Sequence, residues 1–171
     1  MRKYRMFWNR CNDCGHEFET VGGRDDYETR LLLSKDQHLP ALIWCDTDPV
    51  FREVYTIVET FLHTQGLSLP IIVRVFNEIF GEICDKALDG SPYDMSGKRW
   101  CPNCHSSSIS YGPTEPPVFK ELDLPAVSHK HWDKLSHDEK TTLIIQLIKK
   151  STWFSLGSSN RSIQVSASTF P

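Results

Sequence analysis

The chain has 171 residues, 39% hydrophobic, 24% charged and 11% aromatic, with a net charge of -3, which is enough for one ordinary domain or one domain with a large insertion. No apolar run approaches the ~18 residues that a membrane span needs, and the basic, aromatic opening Met1-Arg2-Lys3-Tyr4-Arg5-Met6-Phe7-Trp8 has no apolar stretch of the kind a secretory leader carries, so the expected compartment is the reducing cytoplasm. Six cysteines in that setting point to metal ligands or buried thiols ahead of disulfides.

The charge is unevenly spread. Residues 1–24 carry five basic and three acidic side chains, residues 25–94 five and thirteen, and residues 95–171 nine and six. The middle is therefore acidic and both ends are mildly basic, which bears on partners and says nothing of fold.

Residues 4–10 read as a strand, and His16 to Val21 alternates polar and apolar as a second strand, ended by Gly22-Gly23. Short apolar runs at 30–33 and 41–45 read as further strands. Asp48-Pro49 is a helix start, with Asp48 as cap and Pro49 at the first helical position. That helix is expected to reach about Thr64, where Gln65-Gly66 stops it. A second is expected from Ser68 to Leu88, with Ile72, Val75, Phe76, Ile79, Ile83 and Ala87 as its apolar stripe. Together they form a helical hairpin. Lys98-Arg99-Trp100 and Ser108 to Tyr111 repeat the strand grammar of the N-terminus. Residues 113–125, marked by prolines, are expected to drape over the domain in extended form. Ser136-His137-Asp138-Glu139 is a capping box that opens a helix through Lys150. A serine-rich tail follows, with a short strand expected at 162–165.

Cys11-Asn12-Asp13-Cys14 and Cys101-Pro102-Asn103-Cys104 each place two thiolates on one turn of backbone, and two such halves complete a tetrahedral four-thiolate site. With the residues around them, Gly15-His16-Glu17-Phe18 after the first and Trp100 and His105 about the second, they resemble the two knuckles of a zinc ribbon. The resemblance covers residues 4–21 and 98–111 and implies one structural Zn2+ on Cys11, Cys14, Cys101 and Cys104. The pairs are 86 residues apart, where such patterns usually have ~15–20. A loop about five times longer costs roughly 1.4 kcal/mol in closure entropy, against ~10–16 kcal/mol for a structural zinc site, so the metal tolerates the insertion.

Other readings of these residues carry less. Cys101 to His105 matches a haem-attachment string, but that chemistry needs export. A thioredoxin-like pair needs a helix N-terminus in a βαβ setting. Unmetallated thiols leave the matched pairs without a reason. His16 or His105 could replace one sulfur, although each knuckle already has two. Cys45 and Cys84 read as buried small hydrophobes, and Glu59 with His63, and Glu78, Glu82 and Asp85, as solvated helix faces. His129, His131 and His137 read as surface histidines. Residues 61–77 faintly resemble a helix-turn-helix, but Arg74 is the one base that its second helix offers before Lys86. Arg2, Lys3, Arg5 and Arg10 interleave with Tyr4, Phe7 and Trp8, and with Lys98, Arg99 and Trp100 nearby they form a pattern that suits single-stranded nucleic acid.

The fold expected is α+β: a small antiparallel zinc-ribbon base from residues 1–24 and 95–112, an acidic and largely helical insertion over 25–94, a proline-marked segment and C-terminal helix over 113–150, and a tail. The function expected is that of a non-enzymatic binding protein, an adaptor or regulator acting through protein–protein contacts. The alternative is nucleic-acid binding, related to transcription, through the ribbon face or residues 61–77. No nucleophile–base pair or phosphate loop appears, so no catalytic residue is assigned.

Overall fold

The computed structural model describes residues 2–22, 28–35 and 39–154. Gly23, the strand expected at 162–165 and most of the serine-rich tail lie outside them. The architecture is mixed α+β, with two antiparallel sheets and three α-helices among the described residues.

The first sheet is built on β1 (Arg2–Cys11), with β2 (Glu17–Val21) along one edge. The other edge is shared by β6 (Ile109–Pro113), which pairs Phe7–Cys11, and β7 (Phe119–Leu122), which pairs Arg2–Arg5. Between β6 and β7 the chain makes a short excursion containing the cis Glu115–Pro116 bond. It stays attached there by a bond from Met6 N to Val118 O at 2.9 Å.

Burial along β1 changes face midway. Tyr4 and Met6 are buried, then Asn9 and Cys11. Because side chains alternate across a strand, the even-numbered half faces a small core with Val21 and Leu42. The odd-numbered half faces the second cysteine knuckle. One long strand thus serves two layers.

The insertion holds the second sheet, β3 (Thr29–Ser34) between β4 (Pro40–Trp44) and β5 (Tyr93–Asp94). It also holds α1 (Pro49–Thr64) and α2 (Leu69–Ile79). Asp48 caps α1 as the sequence requires, accepting from Phe51 N at 3.0 Å. Phe51, Tyr55, Phe76 and Phe80 lock the hairpin edge-to-face, with Phe51 and Phe76 centroids 4.9 Å apart. The third helix, α3 (His137–Lys150), carries the full capping box and lays Ile144 and Ile148 across α1 and α2. Trp132, fully buried, donates from Nε1 to Glu53 Oε2 at 2.8 Å, and Lys140 reaches the same carboxylate at 3.1 Å.

Four sequence expectations are corrected. The second helix ends at Ile79 and tightens into a 3₁₀ turn over Phe80–Glu82. Gly81 lies in that turn, and its backbone meets the Tyr93 carbonyl so closely that a Cβ there would lie 1.8 Å from the oxygen. Residues 98–100 form no strand. Residues 113–125 do more than drape: β7 pairs with β1, and Leu42 N donates to Pro125 O while Val127 N donates to Leu42 O, both at 2.9 Å, closing the free edge of β4. His129 is buried, its Nε2 3.1 Å from Asp48 Oδ2.

Candidate metal centre

The two knuckles follow one backbone plan. In the first, Gly15 N donates to Cys11 O at 3.0 Å and Cys11 N to His16 O at 2.9 Å. In the second, His105 N donates to Cys101 O and Cys101 N to Ser106 O, both at 2.8 Å. The residue after each second cysteine is left-handed: Gly15 at φ 73° and His105 at φ 57°. Glycine takes that conformation freely, whereas histidine pays about 1 kcal/mol or more for it. That the second knuckle keeps the turn with a histidine marks the turn as required, since it swings the thiol and the following N–H inward together.

The knuckles are tied side by side. Asn12 N donates to Ser108 O at 2.9 Å, Ser110 Oγ to Asn12 Oδ1 at 2.8 Å, and Ser106 Oγ to Asp13. This brings Cys11, Cys14, Cys101 and Cys104 together, all four sulfurs within 4.8 Å of one another. Cys11 and Cys104 Sγ are 3.5 Å apart, as are Cys14 and Cys101 Sγ. A metal with about 2.3 Å bonds to four thiolates sets its sulfurs ~3.8 Å apart on a tetrahedron. All four are free thiols rather than disulfides. Cys11 and Cys101 are buried while Cys14 and Cys104 face solvent, so the centre sits at the surface with a protected inner side.

Crowding orders the loss of protons. The His16 backbone N–H, helped by the neighbouring thiols, pulls Cys14 down to about 6. For Cys104 the Ser106 N–H favours the thiolate, but Cys14 and the other sulfurs push it up to about 12. Four thiolates this close repel one another, and a divalent cation between them relieves that repulsion.

The other candidates are dispersed. Burial pushes the Cys45 thiol up. Burial, followed by the charges of Asp48 and Asp85, pushes Cys84 up, and its Sγ lies 3.7 Å from Phe80 O. Arg74 stacks on Trp153 at 4.2 Å. Of the basic and aromatic residues expected on the ribbon, Tyr4 is buried, Arg2 stacks on Trp44 at 4.5 Å, and Lys98 pairs with Glu78 at 3.8 Å. Phe7 and Trp8, as neighbours on a strand, point to opposite faces. Phe119 was missed by sequence reasoning, because nothing local marks its stretch as part of the ribbon sheet.

Comparison with protein-family models, curated proteins and solved structures gives no match. The fold and the cluster define a mixed α+β protein whose four cysteines form a candidate metal site consistent with a zinc-ribbon-like motif. Among the described residues no helix is long and apolar enough to cross a membrane.

Proposed function

We propose that this chain is a non-enzymatic binding protein, an adaptor or regulator, held together by one structural zinc ion on Cys11, Cys14, Cys101 and Cys104. The observation that carries the reading is the four-sulfur cluster itself. Four protein thiolates fill a tetrahedral sphere and leave no position for water or substrate, so such a metal shapes the protein and does no chemistry. It also fastens the ends of an inserted unit, which gives the metal a mechanical role.

Two surfaces compete as the recognition site. In the acidic insertion many carboxylates are held by internal hydrogen bonds and ion pairs, which fix where they point but leave the acidic excess of residues 25–94 in place. Asp48 caps α1 and meets His129, Glu53 holds Trp132, and Glu78 takes Ser151 and Thr152. Glu82 pairs with Lys35, Asp85 takes Ser128, Lys130 and His131, and Asp89 takes Ser34 and Ser91. The ribbon sheet keeps large aromatic side chains exposed, Tyr111 and Phe119 among them, and this favours nucleic-acid binding over an acid-reading protein partner.

Elemental analysis tests the metal. About one zinc per chain is expected, lost when Cys101 and Cys104 are changed together to serine. A chain that folds fully in strong chelator and binds no zinc overturns the reading.

A further inference from the structure

The odd-numbered face of β1 carries an alternating line of rings and guanidinium groups. Arg5 stands opposite Phe119 on β7, Phe7 opposite Pro113 on β6, and Asn9 opposite Tyr111. Residues directly opposite in an antiparallel pair share a face, so Phe119, Arg5, Phe7 and Tyr111 all project to one side. Arg99 crosses from the second knuckle and completes the line. Its guanidinium lies 4.5 Å from the Tyr111 ring and 5.8 Å from Phe7, while Nε donates to Thr20 Oγ1 at 3.3 Å. Arg5 lies 5.9 Å from Phe7 on the other side. Phe7 is seated against Gly22, where a Cβ would come within 2.3 Å of the ring. The two end rings are open to solvent, Tyr111 at 63% and Phe119 at 60% exposure.

We propose that this face binds single-stranded nucleic acid, with bases stacking on the exposed Phe119 and Tyr111, Phe7 forming the floor between them, and phosphates meeting Arg5 and Lys3. The proposal rests on reading the chain as a metal-held binding protein. From the level of Arg5 to that of Asn9 the line runs about 13 Å, room for a few bases in an extended strand. Rings with open faces and interleaved cations are the combination that binds single strands regardless of sequence. The charge matches: Lys3, Arg5 and Arg99 stand against Glu121, which sits 4.0 Å from Lys3. A duplex fits poorly, because a sheet face presents no protruding element to a groove. β1, which carries the line, has no backbone left for an extended peptide, since β2 takes one of its edges and β6 and β7 the other. Arg99 is half-buried against Thr20 and two rings, so it is a positioning residue that holds Phe7 and Tyr111 in line.

The test uses the full chain with its zinc content measured. Fluorescence anisotropy is read with labelled oligo(dT) and oligo(rU) of about twelve nucleotides, within the usual site size of such proteins, with a duplex of equal length, and with labelled oligoglutamate. Both single strands should bind, more tightly than the duplex, and weaken from ~50 to ~200 mM salt. Phe119→Ala with Tyr111→Ala should weaken binding at least ~10-fold with an unchanged melting curve and zinc content. Arg5→Ala should lower the salt slope by roughly 0.7. Trp8→Ala, on the opposite face, should leave binding unchanged. DNA and RNA strands bound alike fix stacking and charge as the recognised chemistry, and preference for one adds a sugar contact to the same face. Oligoglutamate bound as tightly as the oligonucleotides, or Trp8→Ala as damaging as the double change, overturns the assignment. So does a zinc-loaded chain that binds no single strand, which leaves the structural-metal reading intact. A chain without zinc overturns that reading whatever the oligonucleotides do.

Discussion

Gly81→Ala tests how closely the turn after the second helix packs on β5. The new Cβ would lie 1.8 Å from the Tyr93 carbonyl oxygen and 2.4 Å from its carbon. Ordinary contact begins near 3.4 Å, so backbone must retreat by ~1.5 Å, and no side chain can turn away to absorb it. The strand pushed is β5, two residues long, held by the pairs Leu33↔Asp94 and Ser34↔Tyr93. Overpacking costs about 1–3 kcal/mol, and each ladder hydrogen bond lost about 1 kcal/mol more. The expected loss is about 3–5 kcal/mol, a large share of the ~5–15 kcal/mol of an ordinary domain, or roughly 10 °C in Tm for this length. Urea unfolding followed by circular dichroism, with zinc present throughout, gives the number. Gly90→Ala is the control: Gly90 is left-handed at φ +79° with nothing within 4 Å of the added Cβ, so only about 1 kcal/mol of backbone strain is expected. If Gly81→Ala costs no more than Gly90→Ala, the turn after the second helix is not held against β5 as closely as these distances require.

Acid should weaken the protein in a way that can be assigned. Burial works against ionisation of Glu53, Glu78 and Asp85. In Glu53 it is outweighed by Trp132 and Lys140, in Glu78 by Ser151 and Thr152, and in Asp85 by Ser128 and the N–H groups of His131 and Lys130, so all three sit below the ordinary carboxylate range. Groups lowered on folding stabilise above their unfolded pKa, and that contribution is lost as pH falls through the folded value. The stability difference between the parent and Glu53→Gln should therefore shrink between about pH 5 and 3, as two unfolding series across that range would show; a constant difference contradicts the assignment. Thiol labelling separates the two classes of cysteine. With zinc bound, maleimide at neutral pH should modify all six slowly, and chelation should make Cys14 react first, because it is exposed and drawn down to about 6 while burial keeps Cys45 and Cys84 as protonated thiols. Mass mapping that finds Cys45 or Cys84 modified first contradicts this.

The features legible in the sequence were local ones. Asp48-Pro49 and Ser136 to Glu139 carry their caps within four residues, and both helices begin as expected. The cysteine pairs were legible because a tetrahedral metal site constrains spacing within each knuckle, and the four sulfurs do come together. What escaped depends on distant contacts. The stripe through Ile83 and Ala87 continues a helical period, and both residues are buried, yet the α-helix ends at Ile79 and the chain turns where Gly81 meets the distant β5. Phe119 to Leu122 becomes a strand because β1 has a free edge to offer. Trp132 and His129 lie in a polar stretch with no periodicity to announce burial. The change of buried face along β1 comes from two layers covering one strand, which alternation cannot report.

Zinc K-edge X-ray absorption on the purified full chain tests the central claim most directly. One zinc with four sulfur neighbours at about 2.3 Å and no nitrogen or oxygen in the inner sphere is expected, with that signal lost when Cys101 and Cys104 become serine. A sphere containing histidine nitrogen or water, or a zinc signal that survives the double change, would contradict a closed four-cysteine centre joining the two ends of the insertion.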